Sequence, residues 1–316
     1  MKKKIADLIK KSKKIAITSH IRPDADCLGS GLALYLMLTQ LGKEVYFCNT
    51  ERPPFPLTQL PCFDVIEFRQ IYPESFDILV LIEGETEART GQKHIDKYFT
   101  INIDHHVTNS EHANLNWVVP EASAVGELIY ELGVELNIEF TRDIGYNLYA
   151  AICSDTGSFK YSNTTSKSLY IASELVRKSN FEPCDVSNLL FNSNYYEKVQ
   201  MVQKVLSTLE LRLDKRISII VFKRNFLSIL DLKDIETEDI VSIARSIAGV
   251  EVTLFFKEIG DDYYRVSIRS RKNFNSQVLA KIFDGGGHEC AAGFFYNGDI
   301  EKAKQEVVDI IKKHLK

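Results

Sequence analysis

A two-part α/β protein is predicted: a largely parallel N-terminal sheet flanked by helices, joined by a helical linker to a smaller α+β domain. Three observations predict it. Short β-rich apolar runs alternate with helical patterns through the first half. The texture changes near Asn180, where Phe181-Glu182-Pro183 breaks the last of those helices. And 316 residues suit two domains of roughly 100–200 residues each.

In order, Ile15-Ala16-Ile17-Thr18 reads as a strand, and residues 28–41 as a helix apolar nearly all round and therefore buried. Gly42 ends it, residues 44–48 form the next strand, and Pro53, Pro54, Pro56 and Pro61 make a loop. Residues 77–82 and 99–103 are further strands; helices follow at 124–132, 143–153 and 166–178. Residues 195–211 read as one connecting helix, with Val199, Val202, Val205, Leu206 and Leu209 at helical spacing. The second domain is expected to hold a strand at 217–222, a hairpin of 250–256 and 263–268 across Gly260-Asp261-Asp262, and helices at 276–283 and 300–315. The expected divisions are 1–190 for the first domain, 191–213 for the linker and 214–316 for the second domain.

Composition excludes several classes. With 45% hydrophobic and 26% charged residues the chain can build full cores. No apolar run approaches the roughly 18 residues of a membrane span, and the apolar stretch after the basic start is too short for a signal peptide. The six cysteines form no C-x-x-C pair, which argues against a zinc ribbon or a dithiol redox motif and for a cytoplasmic protein with reduced thiols. Lys+Arg 39 against Asp+Glu 43 gives a net charge of −4, unlike a protein that coats long nucleic acid.

In open α/β sheets ligands bind beyond the carboxyl ends of the strands. The first strand here is followed by His20-Ile21-Arg22-Pro23-Asp24-Ala25-Asp26, the third by Glu83 and the fourth by Asp104-His105-His106; Asp155 follows the helix end Ala150-Ala151-Ile152-Cys153. Each piece has an ordinary explanation: Asp24 and Asp26 as turn and N-cap residues, Asp155-Thr156-Gly157 as a turn, Asp-His-His as an exposed polar triplet. Their joint placement on one rim points instead to a metal site, and carboxylate with imidazole suits manganese, magnesium or iron better than a thiolate-seeking metal. Gly29-Ser30-Gly31 lacks the third glycine of a dinucleotide fingerprint, and Gly285-Gly286-Gly287-His288 lacks the Gly-Lys-Ser/Thr of a P-loop. The first set would let a helix pack closely; the second is either a flexible turn or a loop whose N–H groups approach an anion.

Together these residues resemble the DHH phosphoesterase family with its DHH-associated C-terminal domain, and within it the branch of bifunctional short-oligoribonuclease/pAp phosphatases. The resemblance spans nearly the whole chain. It rests on His20-x-x-x-Asp24-x-Asp26, the strand-end acid followed by Arg89-Thr90-Gly91, Asp104-His105-His106, Asp155-Thr156-Gly157-Ser158-Phe159, and the run from Gly285 to Gly293. It implies two manganese ions, with magnesium or cobalt as substitutes: one held by His20, Asp24 and a bridging carboxylate, the other by Asp26, the same bridge, His105 and Asp155. It further implies that Asp104 orients the histidines, that His106 and Arg89 face the substrate phosphate, and that Arg269, Arg271, Gly285, Gly286, Gly287 and His288 face the nucleotide across a cleft between domains. The departure is Glu83, where the family carries Asp; Glu83 either bridges with a longer reach or only pairs with Arg89.

The implied reaction is hydrolysis of short oligoribonucleotides to mononucleotides and of 3′-phosphoadenosine 5′-phosphate (pAp), by a water that two metals activate. Phe159, Tyr161 and Phe274 are the nearest residues for stacking a base, and Cys27 reads as a small buried helix residue rather than a nucleophile. A linear or cyclic dinucleotide phosphodiesterase, a single-strand exonuclease and a pyrophosphatase (faintly echoed by Ser270-Arg271-Lys272) share the chemistry; a nucleotide-binding regulator weakened by Glu83 is the alternative of a different class. No membrane and no protein partner is implied, and a homodimer is left open.

Overall fold

The computed structural model describes residues 1–72, 76–228, 238–271 and 273–315, so Lys272 lies outside the described residues. The chain divides into two compact units, Met1–Asn194 and Tyr195–Lys316.

The first unit opens with α1 (Lys2–Lys11), whose Ile5, Ala6 and Ile9 are buried beneath a lysine-rich outer face. It continues through β1 (Lys14–Ser19), α2 (Ala25–Gln40), β2 (Glu44–Asn49), β3 (Ile66–Phe68), β4 (Ile78–Ile82), the single-turn α3 (Glu87–Thr90), β5 (Thr100–Asp104) and β6 (Leu115–Val118). Helices α4 (Val125–Glu135), α5 (Arg142–Asp155), α6 (Ser166–Ser179) and α7 (Pro183–Phe191) complete it. All pairings in its sheet are parallel, in the order β3-β2-β1-β4-β5-β6. β4 and β5 are buried along their whole length, as expected of strands covered on both faces. The larger core lies under the helices; a smaller cluster of Ala16, Cys48, Ile71, Leu79, Leu81 and Ile95 fills the other face. α2 packs on α5 so closely that a Cβ on Gly29 would stand 2.4 Å from the carbonyl oxygen of Asn147.

The second unit holds α8 (Tyr196–Leu206), β7 (Glu210–Arg212), β8 (Ile217–Phe222), α9 (Asn225–Ser228), α10 (Glu238–Ser246), β9 (Val252–Gly260), β10 (Tyr263–Ser270), α11 (Ser276–Ile282), β11 (Gly286–His288), β12 (Ala291–Asn297) and α12 (Ile300–His314). Its sheet runs β11-β12-β10-β9-β8-β7, with β8 and β9 parallel and the other pairs antiparallel. α11 and α12 bury Val266, Ile268 and Phe294 on one face; α8 and α10 bury Ile220, Phe222 and Phe255 on the other.

Three local expectations are corrected. Pro183 does not merely break a helix: it occupies the first turn of α7, where its missing N–H costs nothing. The helix expected over 195–211 stops at Leu206, where the hydroxyls of Ser207 and Thr208 turn back onto the carbonyls of Lys204 and Val205; Glu210–Arg212 then pairs with β8. The glycine run is not an open loop, because Gly286–His288 forms an edge strand paired with Ala291–Gly293. Gly287 at φ 141° lies against Ala292, with no room there for a side chain.

Candidate metal centre

The strand order reverses between β1 and β4, the point where an open α/β sheet forms its crevice. His20 directly follows β1, Glu83 directly follows β4, and Asp104 ends β5 with His105 and His106 behind it. Asp24 is the N-cap of α2 and accepts from the Cys27 amide at 3.0 Å, so the N-cap reading of that residue holds. Its other oxygen, Oδ2, lies 3.5 Å from His20 Nε2. Asp155 is the last residue of α5, where the helix dipole disfavours a carboxylate and no basic residue compensates.

Two donor groups result. His20 Nε2 stands 3.5 Å from Asp24 and 3.6 Å from Glu83 Oε2. His105 Nε2 stands 3.4 Å from Asp155 and 3.9 Å from Asp26. One oxygen of Glu83 also falls within 4.8 Å of nitrogens of His105 and His106, which places Glu83 against both groups. Both metal-type histidines are turned the same way. Nδ1 of His20 lies 2.8 Å from the Ile21 carbonyl, and Nδ1 of His105 lies 3.1 Å from that of Ala122. A carbonyl only accepts, so each Nδ1 carries the hydrogen and each neutral ring presents a lone pair at Nε2.

Residues that carry no motif hold the carboxylates in place. Asp26 accepts from the amides of Val125 at 2.6 Å and Gly126 at 3.0 Å, and from the Ser30 hydroxyl at 3.0 Å. It thereby caps α4, whose own N-cap, Ala124, has no side-chain oxygen to offer. Asp104 accepts from the amides of His105 and His106 at 2.6 and 2.8 Å, from His106 Nδ1 at 2.7 Å and from the Asn109 side chain. Asn109 is in turn fixed by Asn102 at 3.1 Å. Sequence reading missed the supporting roles of Ser30, Asn102, Asn109 and the first amides of α4, since a lone polar residue or a bare amide gives no pattern.

The electrostatics are those of a site built for cations. Burial first, then the charges of Asp26 and Asp24, pushes the Asp155 carboxyl up to about 9. Burial and the neighbouring Asp26, Asp24 and Asp155 likewise raise Glu83 far above the usual carboxylate range. Asp26 is raised by burial, with the His105 charge opposing. Asp104 goes the other way: burial would raise it, but the hydrogen bonds from His106 and Asn109 hold it low. Glu83 Oε1 is buried with no hydrogen-bond partner, and Glu83 itself sits at φ 55°, a left-handed conformation unusual for a residue with a side chain. An orphaned carboxylate oxygen among crowded acids, with lone pairs of two imidazoles aimed at them, is the donor set a divalent metal would satisfy.

The other expected residues fall as follows. Arg89, in α3, donates from Nε to the main-chain oxygen of Glu83 at 3.3 Å, leaving the Glu83 carboxylate to His20 and its acidic neighbours. His106 is partly exposed. Cys27 is buried and its thiol is pushed well up by burial, then by Asp24 and Glu83, so it offers no nucleophile. Tyr161 is exposed, with its ring over Gly157, while Phe274 is buried in the second core and cannot stack on a base. In the second unit Arg269 lies on β10, Arg271 just beyond it is exposed, and Gly285, Gly286, Gly287 and His288 lead into and form β11. A further group, Glu87, His94 and Asp96, is wholly exposed. The six cysteines are free, and no helix among the described residues is long and apolar enough to cross a membrane.

Known proteins share this architecture and sequence. The chain is 30% identical over 306 residues to the bifunctional oligoribonuclease and PAP phosphatase NrnA of Thermus thermophilus, covering 95% of this chain and 90% of the relative. It is 31% identical over 287 residues to the protein of the same name from Bacillus subtilis, covering 88% of each. Among solved structures, an exopolyphosphatase-related protein from Bacteroides fragilis superposes with a TM-score of 0.87 at 24% identity, covering 99% of this chain and 97% of the other. Residues 14–152 match the DHH family, N-terminal domain, and residues 226–316 match the DHHA1 domain. With that match on the strands and helices that carry the clustered acids and histidines, the chain belongs to the DHH family.

Proposed function

We propose that this protein is a manganese-dependent phosphoesterase that hydrolyses short oligoribonucleotides to mononucleotides and dephosphorylates pAp. The observation that carries the reading is the gathering of His20, Asp24, Asp26, Glu83, His105 and Asp155 into neighbouring donor groups at one end of the sheet, with Oε1 of Glu83 buried and unpartnered. The names of the relatives from Thermus thermophilus and Bacillus subtilis supply the substrate class.

In this reading His20 and Asp24 hold one cation, Asp26, His105 and Asp155 hold the other, and Glu83 serves both. Two such ions, when bound, neutralise phosphoryl oxygens and lower the pKa of a water toward neutrality. The chain's own residues do the rest. Nδ1–H of His20 and of His105, tied to main-chain carbonyls, keep both Nε2 atoms facing the carboxylates. Asp104, held ionised by its hydrogen bonds, accepts from Nδ1 of His106 and fixes the ring, so that Nε2 is left to exchange a proton with the leaving oxygen. Arg89, anchored through Nε, turns its remaining guanidinium N–H groups to a phosphate oxygen. Arg269, Arg271, His288 and the glycines at 285–287 take the nucleotide.

The test is incubation of the purified chain with manganese and a panel of pAp, two- to five-nucleotide RNAs, cyclic di-AMP and pyrophosphate. Release of mononucleotides from RNA and of phosphate from pAp is expected. Binding without turnover would make the chain a regulator; cleavage of pyrophosphate or cyclic di-AMP alone would reassign the substrate.

A further inference from the structure

The sheet of the second unit is covered unequally. On the face where α8 and α10 bury Ile220, Phe222 and Phe255, those helices pack against β8 and β9. The strand register sets Arg265 opposite both Lys257 and Phe295 on this same face, with Tyr263 two residues from Arg265 along β10. There the surface is open: Tyr263 is 39% and Phe295 56% exposed. Their rings stack with centroids 5.8 Å apart and planes 19° apart. Further along, the face is floored by small residues. A Cβ added to Gly286 would meet nothing within 4 Å, and one on Gly293 would meet only a main-chain oxygen. Arg269 and His288 lie at that end, each opposite Ala291.

The charged strand residues on this face, Lys257, Arg265 and Arg269, are all basic. Lys257 holds its Nζ 5.5 Å from the centre of the Phe222 ring, and Arg265 makes no ion pair among the described residues. Glu258, the nearest acid on β9, pairs opposite Tyr264 and so belongs to the other face. Cationic side chains beside exposed aromatic rings on an open sheet are the chemistry that binds single-stranded nucleic acid, with phosphates on the cations and bases on the rings. From Tyr263 to Arg269 is six residues of strand, about 20 Å at the usual rise, the length of a few nucleotides.

We propose that the open half of this sheet is a platform for single-stranded RNA, with the Tyr263–Phe295 pair stacking a base at one end and Arg265 and Lys257 holding phosphates between that base and Arg269. The proposal deepens the reading of the chain as an oligoribonuclease and rests on it for the identity of the ligand. It makes the second unit the part that distinguishes a short RNA from a lone nucleotide.

The test uses the full chain in EDTA, where nothing is cut. Fluorescence anisotropy follows a labelled five-nucleotide RNA, with pAp as competitor, for the native protein and for Tyr263→Ala, Phe295→Ala, Phe295→Trp and Arg265→Ala. Loss of one stacking ring should reduce the preference for the five-nucleotide RNA over pAp about tenfold, and Phe295→Trp should retain it. Arg265→Ala should reduce the salt dependence of RNA binding by about one unit of slope. Unchanged RNA affinity in Tyr263→Ala and in Phe295→Ala, with thermal unfolding intact, would overturn the platform. So would a change in sedimentation without a change in RNA affinity, which would make this face a contact between two copies of the chain. The two readings fail separately: absence of turnover with manganese rejects the phosphoesterase, whereas turnover with indifferent variants rejects only the platform.

Discussion

Nε2 of His20 and Oε2 of Glu83 lie 3.6 Å apart, while the second oxygen of the same carboxylate, Oε1, is buried without a partner. A buried carboxylate left in that state is destabilising unless it is protonated or meets a cation. Glu83→Gln keeps the shape and removes the charge. It should abolish most of the thermal stabilisation that manganese gives, while leaving the metal-free protein at pH 8 as stable as the native chain or more so. Differential scanning fluorimetry with manganese and with EDTA reads both. A manganese shift equal to the native one would remove Glu83 from the site.

The raised acids also set a pH dependence. The Asp155 carboxyl keeps its proton up to about 9 in the folded chain, whereas an unfolded Asp loses it near about 3.9. Between those values the unfolded state binds fewer protons, so the metal-free protein loses stability as pH rises through that window. Cations replace those protons on binding. The difference in Tm between manganese and EDTA should therefore widen from pH 6 to pH 9. A difference that stays constant or narrows would contradict the crowding of Asp26, Glu83 and Asp155.

Asn109 touches none of the metal-type groups, yet its amide donates to Asp104, the residue that holds His106. Asn109→Ala should lower turnover by about 10- to 100-fold, the usual loss when a supporting residue goes. It should also shift the acidic limb of the pH–rate profile, because Asp104 would no longer be held as low. A loss of turnover through lower stability alone, with an unmoved pH profile, would reduce Asn109 to a structural role.

Gly29 tests the packing beneath the site. Its added Cβ would stand 2.4 Å from a backbone oxygen of α5, the helix that delivers Asp155. Gly29→Ala should destabilise the protein by about 1–3 kcal/mol through overpacking and weaken manganese binding with it. Equilibrium urea unfolding measures the first and a manganese titration the second.

Much of this was readable in the sequence. The strand-end positions of His20, Glu83 and Asp104 followed from apolar runs that stop abruptly at polar residues, and periodicity placed the long helices α2, α5 and α12. What escaped had weak local signals. α1 was hidden because lysines outnumber its three buried residues. The three-residue strands Ile66–Phe68 and Gly286–His288 owe their existence to pairing partners rather than to their own composition. The Tyr263–Phe295 pair is formed across two strands, so neither residue announces it alone. The supports of Asp26 are main-chain amides some 99 and 100 positions away along the chain, a relationship only folding creates.

The central claim is that the acids and histidines of the first unit hold a pair of divalent cations. Anomalous diffraction from crystals grown with manganese tests it most directly. Two peaks are predicted, one within bonding distance of His20 and Asp24, the other of Asp26, His105 and Asp155, with Glu83 reaching both. A single peak at the exposed Glu87, His94 and Asp96, or none near Glu83, would contradict the account.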